Sequence, residues 1–384
     1  MRHAVEIDYP LERMEANRRR MEERGEFRVA DRAPVAFCVV PRYFAPLFGL
    51  RYRDFFSDPE TQFHWQLQFA KRRMETIRED VWCSPVVTVY PYFDNVINPS
   101  ACGAEVQWQN DETPRAAPTV RTPDDAARYE PPAPDAGLWG TLAEWHAAMR
   151  ELARDTRVTF AGEEGRVEVA PLTIGGEGPH MVAVDLVGPD FYWWMIEYPN
   201  VCHHLLTAIT QGMIAAETRF REIDPRPRGG YGLAEDSAQI MSVELFRAFC
   251  VPYVNRLYDR LGAGYRDGRG MHMCGDSTHL LASLRDDARI SSFNLFGYRV
   301  ACADVARELG GRVLLWGNLD PMRLRDSTPA EARAMAREVL EALAPCGGLL
   351  LGDGANVCPG TPVENLNALT EAAEEYGAPS VVRR

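Results

Sequence analysis

Short apolar runs alternating with stretches of helical period organise most of this chain. From about residue 160 onward the apolar runs are VEVAPLTIGG, MVAVDLVG, YGLAEDSA, GMHMCGD, ISSFNLF, RVLLWGN and GGLLLGDG, and each closes on glycine or a polar residue. Between them, apolar positions recur at helical spacing after MVAVDLVG, in VELFRAFCVPYVNRLYDRLGA, and over residues 277–285, 299–309, 329–345 and 363–376. Upstream, residues 8–25 read as an exposed, charge-laced helix and PVAFCVVP (34–41) as the first buried strand. DPETQFHWQLQFAKRRMETIRED reads as a helix, VWCSPVVTVYPYF as β-rich, and residues 139–154 as another helix. Strands covered on both faces read as unbroken apolar runs, and strand–helix alternation of this kind builds a parallel sheet with helical crossovers.

A (β/α)8 barrel is the simplest closure of that repeat. The expected fold is therefore α/β, a single TIM-type barrel over residues 31–384 preceded by an N-terminal helical extension over residues 1–30. Proline-dense sequence from about Asn110 to Asp135, with PRAAP, RTPDD and EPPAPD, resists helix interiors and central strands alike. It reads as a surface insertion into the barrel.

In such a barrel the active site forms at the C-terminal ends of the strands. Those ends carry Asp94, Asp185, Glu235 with Asp236, His272-Met273-Cys274, Asn318 with Asp320, and Asp353. His272 and Cys274 carry the strongest chemistry. Residues i and i+2 of an extended strand share a face, so an imidazole and a thiolate converge, and zinc favours this nitrogen and sulfur ligation. Two ligands leave such a site incomplete. The competing reading is a satisfied core pair, because cysteine is among the most buried residue types. Glu235 and Asp236 are adjacent and point different ways on a strand, so at most one faces the cleft. The aromatic run PDFYWWMIEYP offers a face for a flat or methylated cationic ligand, or else packs a helix start.

Composition narrows the partner. The 384 residues carry a formal charge of −13, with 46% hydrophobic and 25% charged residues, which describes an ordinary globule and argues against nucleic acid or an anionic membrane surface. A small-molecule substrate fits better. Nine singly scattered cysteines, with no disulfide framework, fit reduced thiols in a cytoplasm. The N-terminal MRHAVEIDYPLERMEANRRRMEERGE has no apolar core of a signal peptide, and no apolar run reaches the roughly 18 residues of a membrane span.

GNLDP at 317–321, GDGANVCPGTPVENLNALTEAAEEYG at 352–377 and HMCG at 272–275 resemble the uroporphyrinogen decarboxylase superfamily, with weaker likeness in YFDNVINPSACGAEV and SVELFRAFCVPYVNRLYD. The resemblance runs from about residue 30 to 377 and implies a barrel with a deep cleft at its C-terminal rim. The decarboxylases carry an arginine-rich segment after the first strand; here VVPRYFAPLFG keeps only Arg42, which suits one carboxylate or phosphate. HMCG looks instead like the branch of zinc-dependent methyltransferases that serve corrinoid proteins and coenzyme M, in which His-x-Cys and a later Cys hold the ion. His272 and Cys274 match. The later cysteine does not fall in register, so the third ligand is expected to be Cys358, or Asp353 through oxygen.

What the resemblance implies is a methyltransferase-like enzyme using Zn2+ to activate a thiol or a small methylated substrate. Cobalamin would be carried by a separate corrinoid protein, and a homodimer is a conceivable assembly. Asp94 aligns with the aspartate that the decarboxylases turn toward their substrate, and Asp94 and Asp236 are the candidate acid–base residues. Asp236 or Asp320 would hydrogen-bond the second ring nitrogen of His272. Arg42, Tyr92, Asn318 and Asp320 are candidates for substrate contact, the last two with the alternative role of tying their loop to backbone amides. The second functional reading is a cofactor-free decarboxylase or lyase acting on a carboxylated small molecule. A binding protein that has kept the barrel and lost the chemistry is the third.

Overall fold

The computed structural model describes residues 3–261 and 268–377. Its strands are β1 (His3–Ile7), β2 (Val86–Val89), β3 (Glu105–Gln107), β4 (Arg115–Ala117), β5 (Thr156–Phe160), β6 (Glu163–Val169), β7 (Tyr231–Ala234), β8 (Arg269–His272), β9 (Ser292–Asn294), β10 (Leu314–Leu319) and β11 (Leu349–Asp353). The fold is α/β. β7 to β11 lie side by side in chain order, all parallel, with helices in every connection. All five residues of β11 are buried, as expected of a strand covered on both faces. The parallel arc continues past both edges, through a bridge from Leu351 to Val35 and another from Ala234 to Glu177.

PVAFCVVP is buried from Pro34 to Phe37 and ends where Pro41 opens a short helix, Pro41–Phe44; it pairs only near Val35, where Ala36 N donates to Leu351 O and Leu351 N to Pro34 O, each at 2.9 Å. β2 runs parallel to β6. A smaller layer, β1 parallel to β5 and β5 antiparallel to β6, covers its own core of Val5, Ile7, Phe63, Leu67, Met149 and Phe160. That layer had no clear signal in the sequence pattern. The two-residue loop Ala161-Gly162, with φ of 47° and 88°, makes the tight reversal between β5 and β6.

One apolar run changes type. MVAVDLVG lies in a helix, Pro179–Val187, and Asp185 stands on it rather than at a strand end. A short apolar run cannot be told from a buried helix by period alone. Here Pro179 occupies the first turn, and the Glu235 carboxyl accepts the N–H groups of His180 at 3.2 Å and Met181 at 2.8 Å. The helix expected after β7 breaks into Val243–Phe249 and Val251–Arg260, because Pro252 has no N–H to continue it. Its last residues, Gly262 and Ala263, lie outside the described residues, as do 1–2 and 378–384. The proline-dense stretch holds β4, hairpin partner of β3, and a capped turn of helix, Pro123–Ala127. No helix of the described residues is long and apolar enough to cross a membrane.

The helix Leu11–Gly25 is fastened to the sheet through Asp80. This buried carboxylate accepts Arg32 Nη1 at 2.6 Å and Nη2 at 3.0 Å, Arg20 Nη1 at 3.1 Å and the backbone N–H of Val35 at 2.8 Å. Asp80→Ala strands the buried Arg32 guanidinium and the Val35 amide, while Arg20 keeps Asp31, so urea denaturation should show a loss of roughly 3–5 kcal/mol. A loss under about 1 kcal/mol would mean that water replaces the carboxylate at little cost.

Candidate functional site

The ladder of β7, β8 and β9 sets Ala234, His272 and Asn294 level with one another. The residues just beyond converge. Met273 turns into the core with no exposed surface, so Cys274 returns to the side of His272. Gly275 follows, and the end of the Gln239 side chain occupies the space beside it. From β7, Glu235 N donates to His272 O at 3.0 Å, and Glu235 turns away to cap the helix Pro179–Val187 while Asp236 faces the site.

Asp236 Oδ1 accepts the backbone N–H of Cys274 at 2.7 Å, and Oδ2 lies 3.5 Å from His272 Nε2. His272 Nδ1 is 2.9 Å from Asn294 O. A carbonyl only accepts, so Nδ1 carries the proton and Nε2 faces the acid. Among the described residues, Asp236, His272 and Cys274 form the group able to hold a metal ion, their ligand atoms all lying within 4.8 Å of one another. Burial works against charge at both Asp236 and His272. Their mutual contact prevails, drawing the Asp236 carboxyl below its ordinary value and raising the imidazole, with Cys274 beside it, to about 10.

The expected third ligands lie elsewhere. Cys358 Sγ sits 3.4 Å from Met322 Sδ, in a separate recess with Tyr52, Arg325 and Pro359, so the altered loop carries its thiol away from the His272 group. Asp353 is fully buried under the first strand position, where Oδ1 accepts Cys38 N at 2.9 Å. Asp236 instead groups with His272 and Cys274; it faces one ring nitrogen of His272, as expected of Asp236, while the other ring nitrogen meets the Asn294 carbonyl rather than Asp320. Nor do Asn318 and Asp320 line the main cavity. Asn318 donates to Gly297 O and Val300 O at 3.0 and 2.9 Å, and Asp320 caps the helix Pro321–Asp326 through the N–H groups of Met322 and Arg323. They tie their loop to backbone. The aromatic run forms the helix Asp190–Glu197 and is likewise absent from the cavity lining.

Asp236 and His272 open into a cavity of about 710 Å³, also lined by Arg42, Tyr90, Tyr92, Asp94, Ile97, Glu177 and Met181 among others. Asp94 stands at φ 54°, in the left-handed region that aspartate tolerates, and makes no cap bond. Its two oxygens accept Tyr52 Oη at 2.5 Å and Tyr92 Oη at 2.8 Å. Burial raises the Asp94 carboxyl, although both hydroxyls and Arg42 favour the ionised form. Arg42 Nη1 lies 3.2 Å from Glu112 at the rim. Tyr92 thus touches Asp94 as well as the cavity, and Tyr52 and Glu177 are additions that motif reasoning missed. Glu177, between glycines at the end of VEVAPLTIGGEGP, had one visible signal: a charge closing an apolar run.

Comparison with known proteins places the chain in a family. The uroporphyrinogen decarboxylase (URO-D) family matches residues 28–376. The chain is similar to a methylated-thiol–coenzyme M methyltransferase of Methanosarcina mazei, 24% identical over 306 residues, covering 75% of this chain and 72% of that protein. It is also similar to the methylcobamide:CoM methyltransferase MtaA of Methanosarcina barkeri, 27% identical over 216 residues, of which it spans 59%. A uroporphyrinogen decarboxylase of Xanthomonas campestris is 24% identical over 259 residues, covering 64% of this chain and 67% of that one. A solved methyltransferase from Methanosarcina mazei shares the fold, with a TM-score of 0.69 at 21% identity over 94% of this chain and 99% of that one.

Burial pushes the Asp353 carboxyl up to about 7, and its Oδ2 has no hydrogen-bond partner. An unfolded aspartate titrates near 3.9, so between those values the unfolded chain has released a proton that the folded chain keeps. The resulting stability is full below about pH 4 and is lost as pH rises to about 7. Asp353→Asn should therefore show a shallower fall in urea midpoint from pH 5 to pH 7 than the parent. Equal slopes would mean that Asp353 is ionised in the fold throughout.

Proposed function

Because this chain belongs to the uroporphyrinogen decarboxylase (URO-D) family, we propose that it is a methyltransferase-like enzyme, with Zn2+ held by Asp236, His272 and Cys274, acting on a thiol or a small methylated compound. The observation that carries the reading is the convergence of one nitrogen, one sulfur and one oxygen ligand atom within 4.8 Å, with Asp236 and His272 on the wall of the cavity. This donor set fits the ion: three protein ligands of types zinc accepts, with a fourth position left for a substrate. The chemistry such an ion supplies is deprotonation of a bound thiol near neutral pH, which makes the sulfur a nucleophile toward a methyl carbon.

The chain's own residues prepare that site. The Asn294 carbonyl fixes the ring of His272 and leaves Nε2 for the ion. Asp236 spends one oxygen on the N–H of Cys274, which orients both the carboxylate and the cysteine, and keeps the other beside His272. Relatives named for methylcobamide and coenzyme M support a corrinoid, free or on another protein, as methyl carrier. For the fold we extend the same reading to a closed (β/α)8 barrel: the Val35 segment, β2, β6 continued to Glu177, and β7 to β11 supply eight strand positions.

A second reading, a carboxy-lyase, draws on Asp94, which two tyrosine hydroxyls hold toward the cavity beside Arg42. Elemental analysis separates the two. The methyltransferase reading expects one zinc per chain in the parent and in Cys358→Ala, with affinity falling more than about 100-fold in Cys274→Ala and Asp236→Asn. It also expects metal-dependent methyl transfer from methylcobalamin to coenzyme M. Zinc retained by Asp236→Asn and lost in Cys358→Ala would refute this ligand set. Metal-free turnover abolished by Asp94→Asn would favour the lyase.

A further inference from the structure

The cavity beside His272 has more acidic groups than cations to meet them. Asp94, Glu177 and Asp236 all line it. Asp236 lies beside His272, and Arg42, the guanidinium at the wall, is engaged by Glu112. That leaves Asp94 and Glu177, neither with an ion-pair partner among the described residues. Asp94 accepts two tyrosine hydroxyls and feels the Arg42 charge only at a distance beyond ion pairing. Glu177 is 5% exposed, and its Oε2 has no hydrogen-bond partner. Nor is it a loose side chain at an edge: its backbone bridges to Ala234, and its carbonyl accepts Asn98 Nδ2 at 3.1 Å.

A buried carboxylate without a partner is costly. Burial pushes the Glu177 carboxyl up to about 8, with Asp185 and Asp94 adding repulsion, so in the empty cavity it keeps its proton. A cation entering beside it would release that proton and gain both carboxylates. The rest of the wall selects which cation. Tyr90, Tyr92, Ile97, Leu142 and Met181 present aromatic and apolar surface, which solvates a methylated, weakly hydrated cation better than a metal ion or a bare ammonium. An anionic ligand would face two acids and an arginine already engaged.

We infer that Glu177 and Asp94 form a cation-binding end of this cavity, and that the small molecule it takes is a methylated onium, a quaternary ammonium or a tertiary sulfonium. The inference names a substrate class for the methyltransferase reading and rests on it only in calling the bound onium a methyl donor.

Calorimetric titration of zinc-treated protein tests it, with choline, tetramethylammonium and the uncharged tert-butyl isostere of choline as probes. Choline and tetramethylammonium should bind, and the isostere should bind at least about tenfold more weakly than choline. Glu177→Gln should weaken choline at least about tenfold while leaving the isostere unchanged. Glu177→Asp, which keeps the charge, should fall between them. Cys274→Ser should still bind choline, which would uphold this inference even where no zinc is taken up. Equal affinity for choline and its isostere, full choline affinity in Glu177→Gln, or acetate binding in place of any onium would each overturn it. Zinc uptake without onium binding would also overturn it and leave the metal centre standing.

Discussion

The site depends on strand register. Ala234, His272 and Asn294 are level because β7, β8 and β9 are parallel and in register, and the three groups that handle His272 come from those strands' ends. One residue of slip in β8 would exchange His272 and Cys274 for Met273 on the cavity side and send the imidazole into the core. The apolar crossovers that hold the ladder, with Met271, Phe293 and Leu315 fully buried along it, therefore also hold the chemistry. Asp236 uses the same register: it reaches the Cys274 amide because Glu235, one position earlier, is tied through its own amide to the His272 carbonyl.

Among the buried charged side chains of the described residues, acids outnumber arginines. Glu177 and Glu235 are raised by burial to about 8, and Asp185 and Asp353 to about 7. Their uses differ although their titration is alike. Glu235 has a structural duty, closing the N-terminus of Pro179–Val187, where a Cβ on Gly178 would run into its carboxyl at 2.2 Å. Asp353 binds the first strand position to β11 through Cys38. Glu177 lines the cavity and leaves Oε2 without a partner there, which separates a carboxyl the fold consumes from one the cavity presents.

Period and motif carried most of the fold. The apolar runs from YGLAEDSA to GGLLLGDG became β7 to β11 in order, because strands covered on both faces announce themselves by composition. MVAVDLVG was misleading for the same reason, since a helix buried all round has the same composition. β1 and β5 were hidden because TRVTF and HAVEI are too short and mixed to stand out from loop. At the site, His272 and Cys274 were legible as an i, i+2 pair. Asp236 was legible as a partner of His272 but not as a candidate ligand, because it reaches the pair across a ladder that no local pattern reports, and Cys358 stood in for the third ligand although it falls out of register. Tyr52 was invisible for a related reason: it comes to Asp94 from 42 residues away in a segment with no motif.

Exchanging a second thiolate for a carboxylate in the proposed centre changes its chemistry without changing its charge. A His-Cys-Asp set carries the same formal charge as His-Cys-Cys, so an ion there would balance equally. Oxygen is the harder donor and returns less electron density than sulfur, which leaves the ion a stronger acid toward a fourth ligand. A coordinated thiol would lose its proton more readily, yet the sulfur would be a weaker nucleophile for it. Such a centre suits a methyl donor that is already activated. An onium carries its leaving group as a neutral amine or sulfide, and the unpaired acid at Glu177 is the feature of the wall that would hold it.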